Sequence, residues 1–374
     1  MTQPPSDTSL GLFLELAEIP SPPGQERAVA DRVLTELADI GLTADEDDAG
    51  SSIGSAIGNI LCRLPGRGQG TPLFLCAHLD TVPPKGAIEP VVEDGFVRNA
   101  AGTILGADNK SAVAVMLAAA RRIVEGDVPH GGVELLFTPK EEVGLRGAYA
   151  FDHTRLEAAL GFVYDQAAPI GEIILGAPTQ KSLVARFHGR AAHAGMYPEE
   201  GRSAILAAAR AIADMRLGRI DDRSSANVGV IEGGVARNIV PEWCTISAEA
   251  RSRDPATVAE LVQEMLDSIA FAASTSDCTV ETELEHTYAG YTFAADAPVV
   301  ALAAEGLQRA GYEPSTAFSG GGADANVFNE RGVPCANLAN GMIDIHTADE
   351  RIAVEDLDSM VEVTLAIVAA ARES

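Results

Sequence analysis

The 374-residue chain is poor in cysteine, in aromatic side chains and in positive charge. Its five cysteines are odd in number, widely spaced and without a Cys-x-x-Cys pair, so we expect buried free thiols in a reducing compartment rather than a disulfide framework. Lys and Arg number 27 against 54 Asp and Glu, which gives a net charge of −27. That balance argues against nucleic acid or an anionic membrane as a partner.

Long apolar runs are also absent. The ranges 112–120 and 364–371 are short and rich in alanine, which is typical of helices rather than membrane spans. The polar first nine residues lack the basic start of a signal peptide, so we expect a cytoplasmic protein without a membrane partner. Hydrophobic residues make up 47% of the chain, enough for packed cores, and the length suits two domains.

The chemically informative pattern is the placement of polar side chains where predicted apolar strands end. The ends in question are His78 after a strand at 73–78, Glu141 and Glu142 after a strand at 133–138, and Asp165 after a strand at 160–164. A long helix over about 106–124 begins at Asp108, which alone would be an ordinary N-cap residue. Polar groups at strand ends and helix starts mark the ligand edge of an open α/β sheet.

The first of these strand ends carries a histidine and an aspartate two residues apart. Alternation along a strand places His78 and Asp80 on one face, where the carboxylate can accept one ring N–H and leave the other nitrogen for a metal ion. This stretch alone fits equally well a lone histidine at a strand end, with the aspartate opening a turn.

The middle of the chain has a different pattern. Its order is strand 181–189, helix 202–217, strands 226–232 and 243–251, helix 256–273 and strand 278–285. This β-α-β-β-α-β order predicts a ferredoxin-like unit. We therefore predict an open, mostly parallel α/β catalytic domain formed by residues 1–178 and 291–374, and an inserted α+β lid and dimerisation domain at 179–290.

The candidate residues at sheet edges are His78, Asp80, Asp108, Glu141, Glu142, Asp165 and, late in the chain, His346. Two histidines and several carboxylates suit Zn²⁺, Mn²⁺ or Co²⁺. They are too many for one closed structural zinc site, but two metal ions about 3.5–4 Å apart that share a carboxylate and a hydroxide would use them. Glu141 and Glu142 leave the backbone in different directions, so one can bind metal while the other serves as general base. An exposed acidic turn is the alternative for such a pair, although here Gly144 follows and a buried strand precedes it.

The chain resembles the co-catalytic dizinc exopeptidase family that contains peptidase T, glutamate carboxypeptidase and the desuccinylases, and within it the peptidase T-like members. The stretches that carry the resemblance run in order through nearly the whole chain. They are HLDTV at 78–82, GADNKSAVAVML at 106–117, TPKEEVGLRGA at 138–148, YDQ at 164–166, HAGMYPEEGRSAI at 193–205, ARNIVPE at 236–242, EARSRD at 249–254, GGGADAN at 320–326 and IHTADERI at 345–352.

The resemblance implies five metal ligands and two divalent ions, Zn²⁺ first, with Co²⁺ or Mn²⁺ as alternatives. It implies that His78 and Asp165 bind the first ion. Glu142 and His346 bind the second ion, and Asp108 bridges the two. In this family an Asp at the position of Asp165 is typical of aminopeptidases, whereas carboxypeptidases and deacylases more often have Glu there.

The resemblance also implies roles around the metals. Glu141 is the general base and Asp80 orients His78. One departure is Ala112, where the family's helix start usually has Gly; it lies beyond the ligand, and we expect it to affect helix packing only. The histidines without a partner in any motif are taken as structural: His130, His153, His188 and His286.

Five further residues are implied to bind substrate. His193 steadies the tetrahedral oxyanion, Asn238 and Arg251 hold the peptide backbone and carboxylate, and Gly321 and Gly322 cradle the substrate backbone, since Gly allows close approach. Taken by itself, His193 also fits a histidine in a surface turn, and Arg251 fits a surface residue in a salt bridge. The GGGAD sequence lacks the G-x-G-x-x-G spacing of a dinucleotide site.

The lid also predicts assembly. An inserted ferredoxin-like unit leaves two sheet edges and a helical face to cover, so we expect a homodimer paired through the lid. The resemblance implies that His193 then reaches the partner subunit's active site.

The sequence therefore predicts a dizinc metallo-exopeptidase that removes the N-terminal residue from short peptides, tripeptides among them. A carboxypeptidase or N-acyl-amino-acid deacylase of the same family is one alternative. A non-catalytic metal- or peptide-binding relative is another, although such a relative should have lost the base or a ligand. The sequence does not determine side-chain preference, the physiological metal or the oligomeric state.

Overall fold

The computed structural model describes Pro5 and residues 8–373. The chain forms two compact units. The larger unit is made of residues 1–176 and 292–374, and the smaller unit of residues 177–291. The boundaries that we expected from the sequence were 178/179 and 290/291.

The described residues form ten α-helices and seventeen strands. The helices are α1 (Ser9–Glu18), α2 (Arg27–Asp39), α3 (Ala49–Ile53), α4 (Ala107–Glu125), α5 (Arg146–Ala150), α6 (Ala204–Asp214), α7 (Pro255–Thr275), α8 (Pro298–Arg309), α9 (Asp324–Glu330) and α10 (Val354–Ala371). The strands are β1 (Ala44–Glu46), β2 (Ile60–Leu64), β3 (Leu73–His78), β4 (Pro90–Glu93), β5 (Phe96–Asn99), β6 (Val133–Thr138), β7 (Leu160–Gln166), β8 (Glu172–Ala177), β9 (Thr179–His188), β10 (Gly218–Asp221), β11 (Ser224–Gly233), β12 (Trp243–Ser252), β13 (Thr279–Tyr288), β14 (Tyr291–Thr292), β15 (Ser315–Phe318), β16 (Cys335–Ala339) and β17 (Arg351–Ala353).

The larger unit is built on a sheet with the order β1-β2-β6-β3-β7-β16-β8, in which β15 also pairs with β8. Its central neighbours β6, β3, β7 and β16 are all parallel. Every residue of β3 and β6 is buried, which explains why both read as continuous apolar runs. Helix α4 packs against β3 and against α1 and α10. The parallel strands bring their carboxyl ends to one edge, where the candidate site lies.

The smaller unit has a five-stranded antiparallel sheet with the order β10-β11-β12-β9-β13. Helices α6 and α7 pack against one another and on this sheet. Because β13, β9, β12 and β11 are adjacent in that order, the unit has the ferredoxin-like topology that the sequence predicts. The predicted fold class, an α/β domain with an inserted α+β lid, is confirmed.

The structure adds elements that have no counterpart in the sequence prediction. Strands β4 and β5 form a hairpin at residues 90–99. The Asp94-Gly95 pair at its tip is typical of a tight hairpin turn, and both residues have the positive φ that such a turn requires. Helix α1 and strands β8, β10, β15 and β17 also had no counterpart in the sequence prediction.

All five cysteines are free thiols. Four of them are buried and Cys278 is half-buried.

The chain has a single tryptophan, Trp243, at the start of β12 in the smaller unit. Its ring stacks on that of His188 with centroids 4.0 Å apart. No helix of the described residues is long and apolar enough to cross a membrane.

Candidate active site

The candidate residues lie at one edge of the larger sheet. They follow the ends of four neighbouring strands or lie at the start of one helix. His78 is the last residue of β3, Asp165 lies at the end of β7, and Asp108 lies in the first turn of α4. Glu142 follows β6, and His346 lies in the loop between β16 and β17. This edge therefore collects ligands that are more than 250 residues apart in the chain.

Asp108 lies at the centre of the site. Its Oδ1 atom is 3.1 Å from Nε2 of His78, and its Oδ2 atom is 3.1 Å from Nε2 of His346. One carboxylate thus faces two histidines that come from opposite sides.

Each histidine completes a triad of potential metal ligands around Asp108. Nε2 of His78 is 3.9 Å from Oδ1 of Asp165, and Nε2 of His346 is 3.0 Å from Oε1 of Glu142. Within each triad the donor atoms all lie within 4.8 Å of one another. Two three-ligand groups that share one carboxylate are the arrangement that a pair of divalent ions uses.

The ring of His78 is oriented by Asp80, but mainly through the main chain. Its Nδ1 atom is 2.8 Å from the main-chain oxygen of Asp80 and 3.5 Å from the carboxylate. The carboxylate also accepts the main-chain N–H groups of Glu141 (2.9 Å) and Glu142 (3.1 Å), and so holds the turn that carries both glutamates. In either case the contact leaves Nε2 of His78 to face the ligands.

Glu141 differs from its neighbours because its buried carboxylate makes no hydrogen bond with any described residue. Burial raises the pKa of Glu141 well above its usual value, and the nearby Asp165, Asp324 and Glu142 carboxylates raise it further, against the opposing effect of His78. A carboxylate with a raised pKa and no partner, beside a set of metal ligands, has the properties of a general base.

The ligands themselves have strongly shifted pKa values. Contacts with Asp108 and Glu142 raise the pKa of His346 to about 10. Burial lowers the pKa of His78, but contacts with Asp108 and Asp80 outweigh it, so the net shift is upward. Burial and repulsion from Asp108 raise the pKa of Asp165. Closely packed acidic groups of this kind favour binding of divalent cations, so the residues present fit the pair of metal ions.

The glycine loop predicted to cradle substrate lies in the same unit. Gly321 and Gly322 follow β15, and the N–H of Gly321 donates to Oγ of Ser319 at 3.1 Å. The loop leads into the buried Asp324, whose Oδ2 accepts from the Thr138 hydroxyl at 2.5 Å while Oδ1 has no partner among the described residues. Burial raises the pKa of Asp324 to about 6.

The other predicted substrate residues lie in the smaller unit. His193 and Asn238 are exposed and lie on adjacent segments, since the N–H of Ala194 donates to the main-chain oxygen of Asn238 at 3.0 Å. Nδ1 of His193 accepts the N–H groups of Gly195 and Met196 at 3.2 and 3.1 Å.

Arg251, also in the smaller unit, lies on β12. Its guanidinium makes a two-point contact with Glu249, at 3.0 and 2.9 Å. Gln180 donates to the same carboxylate at 2.9 Å. Glu249 and Gln180 therefore fix the direction of the Arg251 guanidinium.

Three residues without a predicted role hold the ligand segments from behind. Glu26 accepts the N–H of Lys140 at 3.2 Å, directly before the two glutamates. Asn337 exchanges hydrogen bonds of 2.9 and 2.8 Å with the main chain of Asp165. The third, Glu350, binds the turn before Asp108. Only Glu350 had a local signal, because it lies in the quoted IHTADERI stretch.

A parallel α/β sheet with two ligand triads and an unpartnered carboxylate at its carboxyl edge defines a class: the hydrolases that depend on divalent metal ions. Comparison with known proteins specifies the family. The model of peptidase family M20/M25/M40 matches residues 74–370. The chain therefore belongs to this family of metal-dependent peptidases.

Three similar proteins cover almost all of the chain. An uncharacterized protein, YqjE, of Bacillus subtilis (strain 168) is 38% identical over 356 residues, 95% of this chain and 96% of the relative. The crystal structure of aminopeptidase PepT from Bacillus cereus ATCC 10987 is 38% identical with a TM-score of 0.85, covering 98% of both chains. The structure of a tripeptidase from Staphylococcus aureus subsp. aureus Mu50 is 34% identical with a TM-score of 0.91, covering 100% of both chains.

Proposed function

We propose that this peptidase is a dizinc aminopeptidase that removes the N-terminal residue from short peptides, with tripeptides as the preferred length. The observation that carries the proposal is the pair of ligand triads joined by Asp108, next to the unpartnered carboxylate of Glu141. The peptide specificity is supported by the similarity, at 34–38% identity, to structures titled aminopeptidase and tripeptidase. Asp165 supports an aminopeptidase over a carboxypeptidase or a deacylase, because relatives with those two activities more often have Glu at this position.

Five residues would hold the two ions: His78 and Asp165 the first, Glu142 and His346 the second, and Asp108 both. The chemistry that such a pair supplies is polarisation of the scissile carbonyl and ionisation of water near neutral pH.

The proton transfers belong to Glu141. Its carboxylate takes the proton of the attacking water and gives it to the amine that leaves. The raised pKa suits the first step, because it makes the carboxylate a stronger base towards the water. Asp80 keeps this carboxylate in place by binding the main-chain N–H groups of Glu141 and Glu142.

The tautomer of His193 supports a role as an oxyanion donor. Because Nδ1 accepts two main-chain N–H groups, the neutral ring carries its proton on Nε2. Nε2–H can then donate to the oxygen on which negative charge develops in the transition state. We propose that this residue acts in the site of the partner subunit of a lid-paired homodimer, and that Asn238 and Arg251 bind the peptide's backbone and carboxylate.

A peptide panel tests the proposed specificity. The purified protein is given tri-, di- and tetrapeptides, each with a free, an N-acetylated or a C-amidated terminus, and its metal content is measured on the same sample. We expect release of the N-terminal residue, fastest from tripeptides, and loss of turnover when the N-terminus is acetylated. Release of the C-terminal residue, or cleavage of the acetyl group itself, would instead identify a carboxypeptidase or a deacylase. Two bound metal ions without turnover of any peptide would identify a binding protein.

A further inference from the structure

A buried glutamate behind the site makes contacts that its place in the sequence does not explain. Glu350 is 2% exposed, and among the described residues it forms no ion pair with a basic side chain, although the buried Lys110 interacts with it electrostatically. Its Oε2 atom accepts the main-chain N–H groups of Leu105 (2.7 Å) and Gly106 (2.9 Å), and its Oε1 atom accepts that of Asp108 (3.0 Å). A single carboxylate thus takes up three N–H groups of one four-residue turn.

These N–H groups would otherwise lack partners. Asp108 has φ −82° and ψ 104°, so the backbone is not yet helical at the point where α4 begins. Gly106 has the left-handed values φ 80° and ψ 27°, and a Cβ atom there would lie 3.2 Å from Cγ2 of Thr81. The turn is therefore both conformationally demanding and tightly packed. Glu350 supplies the acceptors that keep it in this form.

The same glutamate also belongs to the segment that carries the other histidine. Glu350 lies four residues after His346, in the loop that returns to β17. Its contact with the turn before Asp108 ties this loop to the start of α4, across 242 residues of sequence. Nε2 of His346 lies 3.1 Å from Oδ2 of Asp108, so the connection joins two segments whose side chains meet at the site.

We propose that Glu350 is a positioning residue that sets the orientation of Asp108 between the two metal ions, so that affinity for both ions depends on it. The inference rests on the proposed two-metal site. Groups that support metal ligands from behind typically contribute about 10–100-fold to metal affinity. Because Asp108 is shared by the two triads, weakening its support affects both ions, whereas loss of His346 directly affects one.

The chain offers a matched control, Glu134. This residue is also a buried carboxylate in the larger unit. Its Oε2 accepts two main-chain N–H groups, those of Glu157 (2.9 Å) and Ala158 (2.8 Å), and its Oε1 accepts from Nε of Arg63 (2.9 Å). It lies near the start of β6, at the opposite end of the strand from the site. Replacement of either glutamate by Gln keeps the size of the side chain but turns one acceptor into a donor that opposes an N–H group.

The test compares Glu350→Gln and Glu134→Gln by chelator competition with Zn²⁺, by the visible absorption of bound Co²⁺, and by thermal unfolding. We expect Glu350→Gln to bind both ions about 10–100-fold more weakly and to shift the Co²⁺ spectrum. Glu134→Gln should lower the melting temperature but leave metal affinity and spectrum as in the wild type. His346→Ala should lose affinity for one ion only.

Wild-type metal affinity in Glu350→Gln, together with a lower melting temperature, would show that Glu350 has a structural role only. This result would overturn the inference about Glu350 and leave the proposed function standing. If Glu350→Gln does not fold, Glu350→Asp replaces it, since the shorter side chain cannot reach all three N–H groups; unchanged metal affinity in that variant would overturn the inference as well. A wild-type protein that binds no divalent ion would refute both this inference and the proposed function.

Discussion

Replacement of Glu141 by Gln separates proton transfer from metal binding. The amide has the shape of the carboxylate but cannot take a proton from water. General acid–base groups typically contribute about 10²–10⁴-fold, which corresponds to about 2.7–5.4 kcal/mol of transition-state free energy at 1.36 kcal/mol per tenfold change. We therefore expect turnover to fall by that factor, with both metal ions retained, because Glu141 belongs to neither ligand triad.

The same substitution should raise stability in the metal-free protein. Burial and three nearby carboxylates raise the pKa of Glu141 in the folded state above its pKa in the unfolded state. This residue therefore destabilises the folded state. The effect is absent at pH values below the pKa of the unfolded state and grows as pH rises above it. A neutral amide removes that cost. At pH 7–8 we expect Glu141→Gln to unfold at a higher temperature than the wild type, because the amide stays neutral where the buried carboxyl either ionises or must hold its proton.

Glu142→Gln is the matched control, because it makes the same chemical change at the adjacent residue. It should lose affinity for one metal ion, since Glu142 contacts His346 in the second triad. The assay is tripeptide hydrolysis on samples whose metal content is measured by mass spectrometry, with calorimetry of the metal-free proteins. Turnover of Glu141→Gln within tenfold of the wild type, or loss of its metal ions, would refute the assignment of Glu141 as the base.

Three further predictions follow from the site. His346→Ala should bind one metal ion tightly and the second weakly, and two full equivalents at stoichiometric metal would count against it as a ligand. Metal binding should release protons and strengthen as pH rises towards 10, because a histidine must lose its ring proton to bind metal and the pKa of His346 is raised to about 10 without metal. Titration calorimetry in buffers of different ionisation enthalpy would show no proton release if this is wrong. His193→Ala should lose about 10²–10³-fold in turnover and keep its metal ions. Mixing this variant with Glu141→Ala under subunit exchange should restore activity. If native mass spectrometry verifies the exchange and activity does not recover, His193 does not act across the dimer.

The sequence was informative about the site wherever a ligand directly follows a buried strand. His78 and Asp165 lie at the ends of two apolar strands, and a strand end needs no long-range knowledge to locate. His346 is different, because it lies in a loop after β16, with φ 64°, and its role as a ligand was implied by the resemblance to a family. Periodicity thus located part of the ligand set, and motif similarity located the rest.

The supporting residues could not be found in the same way. The contact of Glu350 with Asp108 crosses 242 residues, and that of Asn337 with Asp165 crosses 172. Nothing in the local sequence of a glutamate or asparagine tells which distant main-chain groups it will bind. The second role of the Asp80 carboxylate could not be found for the same reason, since the N–H groups that it accepts are 61 and 62 residues away.

The single tryptophan is an intrinsic fluorescent probe at a known position in the fold. Trp243 belongs to the smaller unit and stacks on His188, so its emission reports on the folding of that unit. Circular dichroism, by contrast, reports the helices and strands of the whole chain. Denaturant titrations followed by both signals would therefore resolve whether the inserted unit unfolds together with the catalytic unit or at its own midpoint, without any added dye or engineered probe.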